Sequence, residues 1–302
     1  MKFLRHPHPY LILLIATAFV ILLTACAPQM PAAQAEAAPT AIPTATAMAT
    51  ATPLPTPSPT ITAYRLPPQQ ALWQIQYVGE IDTSLNVQIF NLDLFDTSPS
   101  TIEALHRRDV FVMCYFSAGS WEDWRPDAGR FPPEVLGKDM EGWPGEKWLD
   151  IRRIDILSPI MEARLDLAAQ KGCDGVDPDN VNGYTNDTGL PLTGEDQIRY
   201  NTFLAEAAHQ RGLSIGLKND LEQIPDLVSS FDWALNEECF SHNECDLLLP
   251  FAQAKKPIFV IEYELEPSDF CPQALQMNLN ALKKNWDLDA YRVDCRERTG
   301  NP

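Results

Sequence analysis

Positive charge is scarce in this chain. Across 302 residues, 23 Lys and Arg stand against 41 Asp and Glu, a formal charge of −18. Nucleic acid is bound through Lys and Arg that displace phosphate counterions, so it is excluded as a partner. Histidine is rarer still: there are five, and His6 and His8 fall within the first ten residues. The others, His106, His209 and His242, form no H-E-x-x-H or paired spacing. A zinc enzyme is therefore not expected, and neither a metal nor any other cofactor is called for. No G-x-G-x-x-G or Walker pattern follows a strand-like run, which removes the dinucleotide and P-loop classes. No G-x-S-x-G elbow is present to raise a serine nucleophile.

Long apolar runs are also missing, except for Tyr10 to Ala25. Lys2 and Arg5 precede that run, and Leu23-Thr24-Ala25-Cys26 ends it. A basic start, a short apolar core and a small-residue cleavage site read as a secretory signal. Cys26 at the cleavage point matches the bacterial lipobox, which implies lipidation of its sulfur after cleavage before it. An uncleaved anchor helix is the other reading, but about sixteen residues is short for spanning the bilayer. Either way the domain is expected outside the cytoplasm, touching the membrane through its anchor alone. Residues 27–63 are mostly Ala, Pro and Thr, with Glu36 as the one charge and no aromatic residue. Such a segment buries too little surface to offset its ordering entropy and reads as a disordered, extended tether. The expected organisation is a signal over 1–26, a tether over 27–63 and a folded domain over 64–302.

Beyond the tether, short apolar runs alternate with amphipathic helical patterns, the signature of a parallel sheet. Expected strands are Trp73–Tyr77, Val87–Leu92, Val110–Phe116, Cys173–Asp177, Leu213–Leu217, Trp233–Glu237, Ile258–Glu262 and Asp289–Val293. Helix starts are marked by Ser98-Pro99 and Ser158-Pro159, and left-handed helix ends by Gly172 and Gly212. Eight strands in roughly 230 residues predict an α/β fold, a (β/α)₈ TIM-type barrel. Only Val78–Asn86 separates the first two strands, so helix 1 is reduced, and too little chain remains for a full closing helix.

Barrel enzymes carry their chemistry at the C-terminal ends of the strands. Those ends give Asp93, Ser117 with Glu122, Asp177 and Asp179, Lys218 with Asn219, Glu237, and Glu262 with Tyr263; Arg292 completes the ring. One such carboxylate alone is usually a solvated loop residue or a helix cap. Acids at five or six strand ends are not so readily dismissed. Two carboxyls across a groove serve glycoside hydrolysis, one as acid and one as nucleophile or base, and further acids would bind substrate hydroxyls or amines. Metal hydrolysis is the competing use of clustered acids, and the shortage of His argues against it.

Several segments resemble one family. Gly175-Val176-Asp177-Pro178-Asp179-Asn180-Val181-Asn182-Gly183-Tyr184, Asn236-Glu237-Glu238-Cys239-Phe240 and Glu262-Tyr263 are similar to glycoside hydrolase family 114, the endo-α-1,4-polygalactosaminidase family. Phe116-Ser117-Ala118-Gly119-Ser120, Glu122-Asp123-Trp124-Arg125-Pro126-Asp127 and Trp148-Leu149-Asp150-Ile151-Arg152 support it. The resemblance implies a retaining cut of α-1,4-linked galactosamine polymers inside a (β/α)₈ barrel. Asp179 would be the nucleophile and Glu237 the acid/base. Asp93, Glu122, Asp150, Asp177, Asn180, Tyr184, Lys218, Glu262, Tyr263 and Arg292 are the expected substrate-binding residues. Asn182 stands where the family's pattern carries an acid. Glu238 neighbours Glu237, but strand alternation puts Trp233, Leu235 and Glu237 on one face and Glu238 on the other. Trp73, Tyr77, Trp121, Trp124, Tyr184 and Tyr263 are candidate sugar-stacking aromatics, with core packing an equal reading for Trp73. The acidic balance suits a cationic polysaccharide, though it also serves as a solubilising surface. The expected partner is therefore that polymer, met by a monomer. A non-catalytic sugar-binding barrel and a related α-galactoside hydrolase are the alternatives.

Without Cys26 there are six cysteines, an even number that suits an extracytoplasmic domain. Cys239 with Cys245, and Cys271 with Cys295, are expected pairs. Cys114 and Cys173 are expected as buried free thiols, although six cysteines allow fifteen pairings.

Overall fold

A computed structural model describes residues 64–297. The expectations for the signal at 1–26 with Cys26, and for the tether at 27–63, lie outside the described residues.

Eight strands pair in parallel and in chain order. They are β1 (Trp73–Gln76), β2 (Ile89–Asp93), β3 (Phe111–Ser117), β4 (Gly175–Asp179), β5 (Ser214–Lys218), β6 (Trp233–Glu237), β7 (Ile258–Glu262) and β8 (Asn280–Lys283). The helices are α1 (Pro99–His106), α2 (Ile154–Lys171), α3 (Gly194–Gln210), α4 (Ile224–Leu227), α5 (Leu249–Gln253) and α6 (Pro267–Gln276). No helix separates β1 from β2, as the short spacing predicts.

The eighth strand lies upstream of its expected place. Leu275, Leu279 and Leu282 continue a helical spacing, which hides β8 in the sequence. Asn278, in the left-handed region at φ 61, ends the helix and frees the chain to extend. In the expected segment only Val293 enters a strand: Val293–Asp294 pairs antiparallel with β8. That short strand completes the ring by side-chain contacts. Asp294 accepts from Trp73 N at 3.4 Å, and Arg292 Nε donates to Trp73 O at 3.0 Å. The expected start of α2 moves as well. The helix begins at Ile154, five residues before Pro159, because buried Leu157 draws an earlier turn onto the core.

Strand alternation divides the apolar residues into two cores. Trp73, Ile75, Ile89, Phe111, Met113, Trp233, Leu235, Phe259, Ile261 and Leu282 fill the barrel interior. Their alternates, among them Phe90, Val112, Val176, Ile215 and Val260, pack outward with the helices. Trp73 therefore belongs to the core. Gly216 is required opposite Trp233, since a Cβ there would lie 2.1 Å from the indole.

Among the described residues three disulfides are formed. Cys239–Cys245 and Cys271–Cys295 pair as expected. Cys114 and Cys173 are also bonded, which corrects the free-thiol expectation. Neighbouring β3 and β4 bring their Cα atoms to 6.0 Å although 59 residues separate them in sequence.

One element has no counterpart in the sequence reading. Between β3 and α2, Ser120–Glu122, Leu136–Asp139 and Glu146–Leu149 form a three-stranded antiparallel sheet. It sets Glu146 directly opposite Glu122.

Candidate active site

The ends of β4, β5 and β6 converge on one buried ammonium group. Lys218 Nζ lies 3.1 Å from Asp179 Oδ1 and 3.2 Å from Glu237 Oε2. Burial works against the charge on Lys218, but Asp179, Glu237 and Asp177 outweigh it and raise its pKa. The Lys218 side chain is 4% exposed, whereas Asp179 and Glu237 keep 20% and 27%. Both carboxylates thus face a common opening with the cation beneath them. Burial pushes Glu237 up, yet Lys218 and hydrogen bonds from Tyr263, Asn219 and Lys218 together hold its carboxyl below the usual range. Tyr263 Oη donates to Glu237 Oε1 at 2.5 Å, and Asn219 Nδ2 donates to Oε2 at 3.3 Å.

The backbone around the pair is equally fixed. Ala118 N and Gly119 N donate to Asp179 O at 2.9 and 3.0 Å. Gly119 is needed for that approach, since a Cβ would meet Asn180 O at 1.7 Å. Asn180 adopts φ 61, and its amide donates to Ser117 Oγ at 2.9 Å and Ser120 Oγ at 3.2 Å. The loop after Glu237 is stapled by Cys239–Cys245. Glu238 follows with φ 63, so the chain leaves the strand directly after Glu237. One layer deeper, Asp177 accepts from Asn91 at 2.7 Å and from Tyr77 Oη at 3.4 Å. Burial, with Asp179 adding and Lys218 opposing, pushes Asp177 up to about 6.

A second acidic group lies beside β3 and its inserted sheet. Arg125 Nη2 is 2.8 Å from both Asp93 and Glu122. Glu122 is 2% exposed and its Oε2 has no hydrogen-bond partner. Burial and the nearby Glu122 push Glu146 up to about 7, although Ser120 Oγ donates to it at 2.8 Å. Among the described residues, no group of three or more His, Cys, Asp and Glu is placed to hold a metal.

Two carboxylates on strands four and six of a parallel barrel suit glycoside hydrolysis, and comparison with known proteins decides the family. Residues 54–300 match the model of glycoside-hydrolase family GH114. The chain belongs to that family. GH114 membership makes the protein a glycoside hydrolase. Among solved structures, Aspergillus fumigatus Ega3 in complex with galactosamine is 44% identical, with a TM-score of 0.74, over 78% of this chain and 98% of that one. The glycoside hydrolase domain of PelA from Pseudomonas aeruginosa is 13% identical, with a TM-score of 0.59, over 73% of this chain and 97% of that one. That second likeness speaks for the fold alone. Comparison with curated proteins returns no match.

Of the expected GH114 site residues, Asp177, Asp179, Asn180, Lys218, Glu237 and Tyr263 come together at the strand ends. The Tyr184 hydroxyl donates to Glu222 at 3.3 Å. Asp93 and Glu122 are committed to Arg125. Three others are not brought to the pair. Arg292 closes the seam between β8 and β1, paired with Asp294 and Glu297. Asp150 pairs with Arg152 at 2.7 Å. Glu262 is fully buried and accepts from Phe240 N and Ser241 Oγ, bracing the loop after β6. The sequence reading missed Glu146, Asn91 and Asp220 as site candidates. Burial pushes Asp220 up to about 7, and Asn201 Nδ2 donates to it at 2.9 Å. Asp220 directly follows the strand-end pair Lys218 and Asn219, the one signal that would have found it.

Proposed function

We propose that the protein is an endo-acting, retaining glycosidase that cuts α-1,4-linked galactosamine polymers. The observation that carries this reading is the 44% identity to a protein solved with galactosamine, joined to a carboxylate pair around Lys218. Contacts of 3.1 and 3.2 Å to one nitrogen limit Asp179 Oδ1 and Glu237 Oε2 to their sum, about 6.3 Å apart. That bound admits the ~5–5.5 Å carboxyl separation of retaining enzymes.

In the first step the Asp179 carboxylate attacks the anomeric carbon while Glu237 gives its proton to the bridging oxygen. The bond to the leaving chain breaks, and a glycosyl ester forms on Asp179. In the second step the Glu237 carboxylate takes a proton from water as that water attacks the same carbon and releases Asp179. Two inversions restore the α configuration. Lys218 holds Asp179 in place for attack and balances the charge that returns to it. The acid must start protonated, and Glu237 is held low, so kcat/KM falls as pH rises through that lowered pKa. Working conditions more acidic than the ordinary glutamate range follow, where the polymer's amines are also charged. Near pH 7 the formal charge of −18 draws the polycation toward the enzyme, and with a sequence pI of about 4.6 that attraction fades as the pH falls toward that value.

The same reading sets the enzyme outside the cytoplasm on a lipidated Cys26 with a Pro/Thr tether. The three disulfides support an oxidising compartment. Detergent partitioning tests the anchor: wild type enters the detergent phase and Cys26→Ser does not. Equal partitioning of the two would count against it. Digestion of deacetylated α-1,4-galactosamine polymer, with products sized by mass spectrometry and their anomers followed by NMR, tests the activity. Internal cuts with an α first product are expected. An uncut polymer or a β first product would contradict the reading.

A further inference from the structure

Trp286 is 52% exposed, on the loop between β8 and Val293–Asp294. Its ring lies nearly flat on Tyr263, with centroids 4.1 Å apart and planes 16° from parallel. Tyr263 is the residue whose hydroxyl donates to Glu237. One face of the indole is thus covered by a partner of the acid/base residue, and the rest looks outward from the same side of the site. Rotation of the ring is fixed, because its Nε1 donates to Glu264 at 2.7 Å.

The loop beneath this ring is braced from several directions. Leu288 N donates to Asn285 O in a turn at 3.0 Å, and Leu288 O accepts from Tyr77 N at 2.9 Å. The fully buried Lys284 donates to Asp289 O at 2.7 Å and to Gln74 Oε1 at 3.0 Å. Lys283 donates to Tyr263 O and Leu265 O at 2.7 and 2.9 Å, tying the Tyr263 segment to the same base. A large aromatic held rigid while half exposed loses apolar burial that a bound group would restore. A flat ring face suits the C–H face of a sugar, and a Trp ring beside a carboxylate suits an ammonium group.

We infer that Trp286 and Glu264 form the subsite for the amino-sugar residue on the leaving-group side of the scissile bond. This rests on the galactosaminidase reading above. Glu237 hands its proton to the bridging oxygen, so its side of the site faces the departing residue, whereas Asp179 faces the anomeric carbon. The Trp286 platform continues outward from Glu237 through Tyr263. The leaving residue stacks on the open indole face, and Glu264 receives its ammonium group.

The test compares kcat/KM on galactosamine oligomers with kcat/KM on α-galactosaminyl fluoride, whose leaving group fills no sugar subsite. In Trp286→Ala the oligomer-to-fluoride ratio falls at least about tenfold, while Trp286→Phe, which keeps a ring, stays within about threefold of wild type. Glu264→Gln lowers the ratio for deacetylated oligomers and not for N-acetylated ones. A ratio within about twofold of wild type in Trp286→Ala overturns the subsite, as does equal loss from Glu264→Gln on both kinds of oligomer. A wild-type enzyme that leaves both substrates intact overturns the galactosaminidase reading, a result distinct from an active enzyme with an unchanged ratio.

Discussion

Two groups of carboxylates occupy the barrel mouth, each around one cation, and they are built differently. Asp179 and Glu237 share Lys218, which sits below them, and both side chains keep an open face, 20% and 27% exposed. Asp93, Glu122 and Glu146 lie beside Arg125 and are 5%, 2% and 6% exposed. In the first group, Lys218 and hydrogen bonds hold Glu237 low. In the second, burial pushes Glu122 up and Glu146 up to about 7. A perturbed carboxyl is therefore not by itself a catalytic one. The proposed reacting pair is distinguished by open faces directed at a shared point, and the other group by sealed polar atoms that hold the inserted sheet against β3.

The largest expected effect separates the groups by activity. Asp179→Asn and Glu237→Gln should each lower kcat/KM by at least about a thousandfold, or about 4 kcal/mol of transition-state stabilisation, with thermal midpoints near wild type. Retention of a tenth of the rate by either variant would remove that residue from the pair. Arg125→Met acts on the other group and on stability. It leaves Asp93 and Glu122 buried without their cation, a loss of about 3–5 kcal/mol in denaturant unfolding. A change below about 1 kcal/mol would mean that Arg125 does not organise the sealed group.

Much of the proposed pair's placement was legible in the sequence. Glu237 ends a clear apolar strand, and alternation from Trp233 through Leu235 aims it inward. Asp179 ends a Gly175-Val176-Asp177-Pro178-Asp179 strand of little apolar character, two residues past the expected end at Asp177. What a strand-end reading lacks is the neighbour that claims each side chain. Glu262 ends β7 as expected, yet the Phe240 amide and the Ser241 hydroxyl take its carboxylate. Arg292 is likewise taken by Asp294 and Glu297. The Cys114–Cys173 bond was hidden because it follows from the adjacency of β3 and β4, not from spacing along the chain. Glu146 gave no signal, since it sits in a four-residue strand too short to show periodicity.

A smaller effect sharpens the contrast through pH. The folded state holds a proton on Glu146 up to about pH 7, whereas the unfolded chain releases it near pH 4.3. The contribution of Glu146 is full below the unfolded pKa and is lost as pH rises through the folded one. Glu146→Gln should therefore match wild type near pH 4 and be more stable at pH 8 by about 2 kcal/mol. An equal difference at both pH values would contradict this. The smallest effect falls on the catalytic side. The Tyr263 hydroxyl stabilises ionised Glu237, so Tyr263→Phe should raise that pKa. The alkaline limb of kcat/KM then moves up by roughly half a pH unit. An unmoved limb would mean that this hydrogen bond does not set the catalytic acid.

The central claim is that Asp179 forms the covalent bond to sugar while Glu237 moves the proton. Trapping with 5-fluoro-α-galactosaminyl fluoride, followed by peptide mass spectrometry, tests it most directly, because the fluorine slows release of the glycosyl ester more than its formation. The account predicts one added sugar on the peptide carrying Asp179, and no label in Asp179→Asn. A label on Glu237, or turnover of oligomers with no label on Asp179, would contradict it.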